Sequence, residues 1–174
     1  MIFREPKARP RSAGAELYDD AVAQSRAPAL YADLGAPDTI EGRFELLTLH
    51  VILLIERLRD DGAAAAQSSQ ALFDIYCSNL DGARREMGVG DLTVGKRMRA
   101  LGEAFYGRAR AYRMAFAALP DRGELAAVIG RTVMAGESGA DPTALAAYVA
   151  RSREALAAVA AASLLASPPP WPAS

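Results

Sequence analysis

Cysteine and histidine occur once each, at Cys77 and His50. A lone cysteine permits no internal disulfide, so nothing in the chain calls for an oxidising compartment. One Cys and one His cannot supply the usual nitrogen and sulfur ligands of a zinc site. No serine stands in a histidine-and-acid arrangement that spacing would predict, which argues against a hydrolytic triad and for a non-enzymatic chain. An excess of one charge is missing too. With 20 Lys+Arg against 21 Asp+Glu the net charge is -1, which removes the general argument for nucleic-acid binding and gives no expectation of DNA as a partner.

Long apolar runs are equally scarce. The stretch Phe44 to Ile55 is interrupted by Glu45, Thr48 and His50, and 144–166 carries Arg151, Arg153 and Glu154 near its middle. Both fall short of the roughly 20 apolar residues of a spanning helix. The N-terminus, MIFREPKARPRSAGAE, lacks the apolar core of about 7 to 15 residues that a secretory signal needs. The expected location is cytoplasmic, with any membrane contact peripheral at the inner face of the cytoplasmic membrane. Strict apolar–polar alternation, the mark of a strand, hardly appears.

Helical periodicity is what the chain does contain. Leu17, Tyr18, Ala21 and Val22 share one face of a first helix, and Pro28 can open a short second one to about Leu34. Asp38 with Glu41 three residues later resembles a capping box and starts a helix to about Asp60. Its stripe of Phe44, Leu47, Val51, Leu54 and Leu58 is widened by Leu46, Leu49 and Leu53. Only Glu41, Glu45, Thr48, Glu56 and Arg59 are left as a narrow wet edge, so this helix should be the most buried. Further helices are expected over about 65–87, 93–119, 124–135 and 142–166. The fold class is therefore all-α: a single compact domain of about six or seven helices over 13–166. It lies between a basic flexible segment at 1–12 and a proline-rich flexible tail at 167–174.

The stretch GVGDLTVGK, 88–96, places Gly90 four residues before Gly95-Lys96, the spacing of a phosphate-binding loop. Such a loop needs a preceding strand and a Ser or Thr after the lysine. Here a helix precedes it and Arg97 follows. Nucleotide binding through Gly90 to Lys96 is thus a remote alternative. Packing is the better reading: Gly88 and Gly90 turn the chain between two helices, while Gly95 and Gly102, seven residues apart, suit the close approach of another backbone or a bulky side chain. Between Arg84 and Arg113 the bases Arg84, Arg85, Lys96, Arg97, Arg99, Arg108, Arg110 and Arg113 outnumber Glu86, Asp91 and Glu103. This excess suits either a solvated face or a docking surface for an acidic partner, a headgroup layer or ribosomal RNA.

Two long stretches, 17–58 and 70–112, carry DT-x-x-GRF-E, then REMGVGD-x-x-VGK followed by AFYGR. Through them the chain resembles the ubiquinol-cytochrome c chaperone family, the bacterial relatives of a mitochondrial assembly factor for cytochrome b. The resemblance implies an all-helical, non-enzymatic binding protein without a cofactor or metal. Such a protein engages newly made cytochrome b and promotes assembly of ubiquinol-cytochrome c reductase, respiratory complex III. It further implies a small partner protein and a position near the ribosomal exit region. A helical adaptor that docks on ribosome or membrane without a cytochrome b client is the alternative.

The motif positions are Asp38, Thr39, Gly42, Arg43 and Phe44, then Arg85 to Asp91, Val94 to Lys96, and Phe105 to Arg108. From these the expected client or partner surface comprises Arg43, Phe44, Arg85, Glu86, Met87, Gly88, Val89, Gly90, Asp91, Val94, Gly95, Lys96, Arg97, Phe105, Tyr106 and Arg108. The segment CSNLDGARRE departs from the family's more acidic version, with Arg84 where leucine is usual.

Overall fold

The structure is a computed structural model that describes residues 12–86 and 94–173. Among these residues there are eight helices and no strand: α1 (Ala13–Ser25), α2 (Pro28–Ala32), α3 (Ile40–Leu58), α4 (Ala63–Glu86), α5 (Val94–Ala117), α6 (Gly123–Arg131), α7 (Thr143–Ala157) and α8 (Ala161–Leu164). The all-α expectation holds. No helix among the described residues is long and apolar enough to cross a membrane.

The axis of the fold is α3, which touches α1, α4, α5 and α7. From Leu46 to Leu54 only Leu47 and the single polar pair Thr48 and His50 interrupt an unbroken buried apolar run, and both polar residues are themselves buried. Each fully buried Leu or Ile stabilises the fold by about 1.5–3 kcal/mol, which is why a helix apolar almost all round ends up at the centre. The expected wet edge is narrower than its sequence suggests. Thr48 shares a hydrogen bond with the Tyr76 hydroxyl at 2.8 Å, and Glu45 is taken by Arg108 across from α5. Their partners lie 28 and 63 residues away, beyond the reach of local periodicity.

The start of α3 also differs from expectation. Thr39, not Asp38, is the N-cap: its backbone is extended and its hydroxyl accepts from the Gly42 amide at 3.0 Å. Asp38 instead accepts from Arg43 Nε at 2.5 Å. Gly42 faces the chain that enters the helix, and a Cβ there would collide with the Pro37 carbonyl oxygen. A second close approach is at Gly14, where a Cβ would lie 2.7 Å from that of Ala71 on α4. Gly95 has nothing within 4 Å, and Gly102 only the tip of Phe73 at 4.0 Å. Close packing therefore falls at Gly14 and Gly42, and among the described residues no part of this chain packs tightly on Gly95 or Gly102.

The single helix expected over 142–166 is two. Arg57 Nε and Nη2 donate to the carbonyls of Leu156 and Val159 at 2.8 and 2.5 Å, at the close of α7 where carbonyls run out of α-helical donors. The chain then turns extended at Ala160 before α8. Beyond α8 the tail returns to the core. Pro169 is buried and the Trp171 ring stands edge-on to His50 with centroids 5.2 Å apart, so the packed body runs past the expected boundary at 166.

His50 itself is fully satisfied. Its Nδ1 lies 2.7 Å from the Leu46 carbonyl, which can only accept, so Nδ1 carries the proton. Nε2 then accepts from the Tyr148 hydroxyl at 2.9 Å, which in turn accepts from Gln24 Nε2 at 2.8 Å. This chain of bonds joins α1, α3 and α7. Burial depresses the imidazole from 6.5 to about 4. Cys77 is a buried apolar filler, its thiol pushed up to about 11 by the same cause.

Candidate functional site

The N-terminal end of α3 borders an open groove of about 410 Å³ whose lining is mostly apolar. Tyr18 and Val22 of α1 and Tyr31 of α2 form one wall; Phe44 and Leu47 of α3 form the floor; Leu80 of α4 and Leu101 of α5 close the other side. At the mouth Ile40 is 71% exposed, although it lies one turn before Phe44 on the same stripe. The α3 stripe thus continues past the point where its own fold covers it, the pattern expected where another molecule completes the burial.

Charged side chains hold this groove from its rim. Arg43 pairs with Asp38, which keeps that carboxyl below its ordinary range, and its guanidinium carbon lies 5.9 Å from the centre of the Tyr31 ring. Tyr31 donates to the Ser25 carbonyl at 2.7 Å, tying α2 to the end of α1, and burial raises the phenol above its usual value. On the other side Arg108 stands 5.8 Å from the Phe44 ring while its Nε donates to both Glu45 oxygens at 3.0 and 2.8 Å. Phe44 therefore lies beside the Arg108 guanidinium, which its planar bidentate pair with Glu45 holds in place. The groove contains apolar walls, two phenols and rim charges. It offers shape and desolvation, and among the described residues no group of three His, Cys, Asp or Glu side chains could hold a metal ion.

Only some of the expected surface converges here. Arg43 and Phe44 line the groove, and Arg108 reaches the Phe44 ring from α5. Phe105 is buried beneath Phe73 and Tyr76, with ring centroids 5.1 and 5.3 Å away, and Tyr106, 61% exposed, covers a separate cleft of about 280 Å³ near Ile55 and Leu58. Gly95 and Lys96 are exposed in the first turn of α5. Arg85 and Glu86 end α4, and Val94 and Arg97 begin α5; their side chains lie outside the described residues, as do Met87, Gly88, Val89, Gly90 and Asp91 entirely. Gly95 and Lys96 are helical, and α4 rather than a strand precedes the stretch, so the phosphate-loop architecture is not met. Sequence reasoning missed Tyr18, Val22, Tyr31, Ile40, Leu47, Leu80 and Leu101. The available signal was Ile40, an apolar residue extending the α3 stripe by a turn.

Comparison with known proteins matches these features to one family. The model of the family described as ubiquinol-cytochrome C chaperone matches residues 32–171, from the end of α2 to the tail tryptophan. Among solved structures, the crystal structure of the Cbp3 homolog from Brucella abortus is similar with a TM-score of 0.79 at 35% identity, over 88% of this chain and 85% of that one. No curated protein matches the chain. A family match over most of the chain and a shared fold at this identity lead to one conclusion: the chain belongs to the ubiquinol-cytochrome c chaperone family.

Proposed function

We propose that this chaperone binds newly made cytochrome b through the groove at the N-terminal end of α3 and so promotes assembly of ubiquinol-cytochrome c reductase, respiratory complex III. The observation that carries the reading is the uncovered end of the α3 stripe, with Ile40 71% exposed above Phe44 and Leu47. A membrane-protein client made of apolar helices would cover that stripe as a helix-in-groove pair, and Arg43, Glu41 and Arg26 at the rim would set its register. The protein acts by binding, without catalysis or a cofactor, from the cytoplasmic side. The exposed start of α5 at Lys96 and Arg99 supports docking at the ribosomal exit region, and the aromatic cleft at Tyr106 suits a small partner protein.

Ile40→Glu tests the groove, since a side chain this exposed contributes little to folding. Affinity capture from native membranes should recover cytochrome b with the unaltered protein and about tenfold less with the variant, the loss typical of one central contact residue. Undiminished recovery with Ile40→Glu would remove the groove from the client surface. The Lys96→Glu, Arg97→Glu double variant separates the adaptor reading. If ribosome co-sedimentation fades with salt and with these changes while cytochrome b recovery stands, the basic start of α5 serves docking and not the client.

A further inference from the structure

At the other end of α3 a cleft of about 300 Å³ opens between α3, α5 and α7, with Leu53 and Phe116 on its floor. Guanidinium groups crowd its rim, and they are not equally engaged. Arg57 has every nitrogen occupied, by the Leu156 and Val159 carbonyls and by Asp61. Arg113 grips Glu56 through two bonds of 2.9 and 2.7 Å, and the same carboxylate also receives Arg59 at 3.4 Å. Arg153 has no carboxylate or carbonyl acceptor among the described residues; its guanidinium carbon lies 5.5 Å from the centre of the Phe116 ring. Three guanidiniums, Arg57, Arg113 and Arg153, thus line the cleft against two carboxylates, Glu56 and Asp61, and Arg153 is left as the excess positive charge. In a chain whose net charge is -1 this excess is local and built.

We propose that this cleft binds the phosphodiester of an anionic phospholipid headgroup. A guanidinium laid on an aromatic ring keeps its planar fork of donors directed outward, the geometry that meets phosphate oxygens in pairs. The apolar floor accommodates the carbon of a headgroup, and a cleft of this volume is at the small end of ligand sites, sized for one group and not for an extended acidic chain. Beside it on α5, Arg110 and Met114 are exposed, Met114 by 66%. Exposed apolar and basic side chains on one helix face are the composition of a surface lying against anionic lipid. The inference is independent of the client groove, which is lined by other residues.

The test is co-sedimentation of the full chain with vesicles of phosphatidylglycerol in phosphatidylcholine, against vesicles of phosphatidylcholine alone. Binding should require phosphatidylglycerol, and Arg153→Ala should weaken it about fivefold, the weight of one basic group at an anionic surface. Arg151→Ala is the control: it removes the same charge two residues away on α7, about 200° around the helix, and should leave binding unchanged. Equal weakening by both variants would replace the cleft by diffuse attraction. Equal binding to both vesicle types, or to neither, would overturn the proposal, as would saturation by inorganic phosphate or by polyglutamate without vesicle binding. Circular dichroism of both variants, expected to match the unaltered protein, assigns any change to the surface.

Discussion

At the N-terminal end of α3, Arg43 keeps 60% of its side chain exposed and pairs with Asp38, five residues back and 61% exposed. At the C-terminal end Arg57 is 17% exposed and donates to two carbonyls at the close of α7 and to Asp61. The residue type is the same and the surroundings are opposite. An exposed pair in water exchanges one hydrated state for another and contributes little. A half-enclosed guanidinium that donates to two carbonyls at the close of a helix ties down the point where one helix stops and another begins. At one end of α3 the apolar stripe stays exposed at Ile40, and at the other Arg57 fastens the helix to the close of α7 beside the cleft at Arg153.

Acidification probes the fastened half first and most strongly. His50 is depressed from 6.5 to about 4 in the folded protein, so above 6.5 it is neutral folded or unfolded and stability is intact. As the pH falls toward 4 the unfolded chain takes up a proton that the folded one refuses, and about 3 kcal/mol should be lost across that window. Urea midpoints at stepped pH measure it. In His50→Gln, less stable throughout, the slope between pH 6.5 and 4 should flatten; an unchanged slope would place the pH sensitivity elsewhere.

Arg57→Ala comes next. Removing the donor leaves the Leu156 and Val159 carbonyls without it and should destabilise by about 2 kcal/mol, seen as a lower urea midpoint at constant slope. Arg43→Ala should have the smallest effect, with no measurable movement of the midpoint. If the two arginine variants shifted stability equally, the contrast between the ends of α3 would collapse.

The helices were legible because each buries a stripe whose 3.6-residue period is written locally. Glu45 shows where that reading ends. Its sequence neighbours mark it as part of a wet edge, and only Arg108, 63 residues on, makes its burial tolerable. The break between α7 and α8 was hidden for the same reason: an alanine-rich run contains no local stop signal, and the groups that terminate it belong to Arg57, 99 residues earlier. The family motifs pointed to Arg43 and Phe44, which line the groove, to Arg108, which reaches the Phe44 ring, and to Gly42, whose hydrogen is all that fits beside Pro37. The walls supplied by α1, α2 and α4 were illegible, since helices far apart in sequence become neighbours only after folding.

Trp171 is the chain's one tryptophan, and its indole nitrogen is enclosed with no acceptor while its ring edges onto His50. The carboxyl-terminal clasp is thus held by the burial of Pro169 and the ring contact, without a hydrogen bond from the indole. It also gives the protein a built-in optical probe: the emission of this single fluorophore reports undocking of the tail with no label attached, separately from the ellipticity that reports the helices.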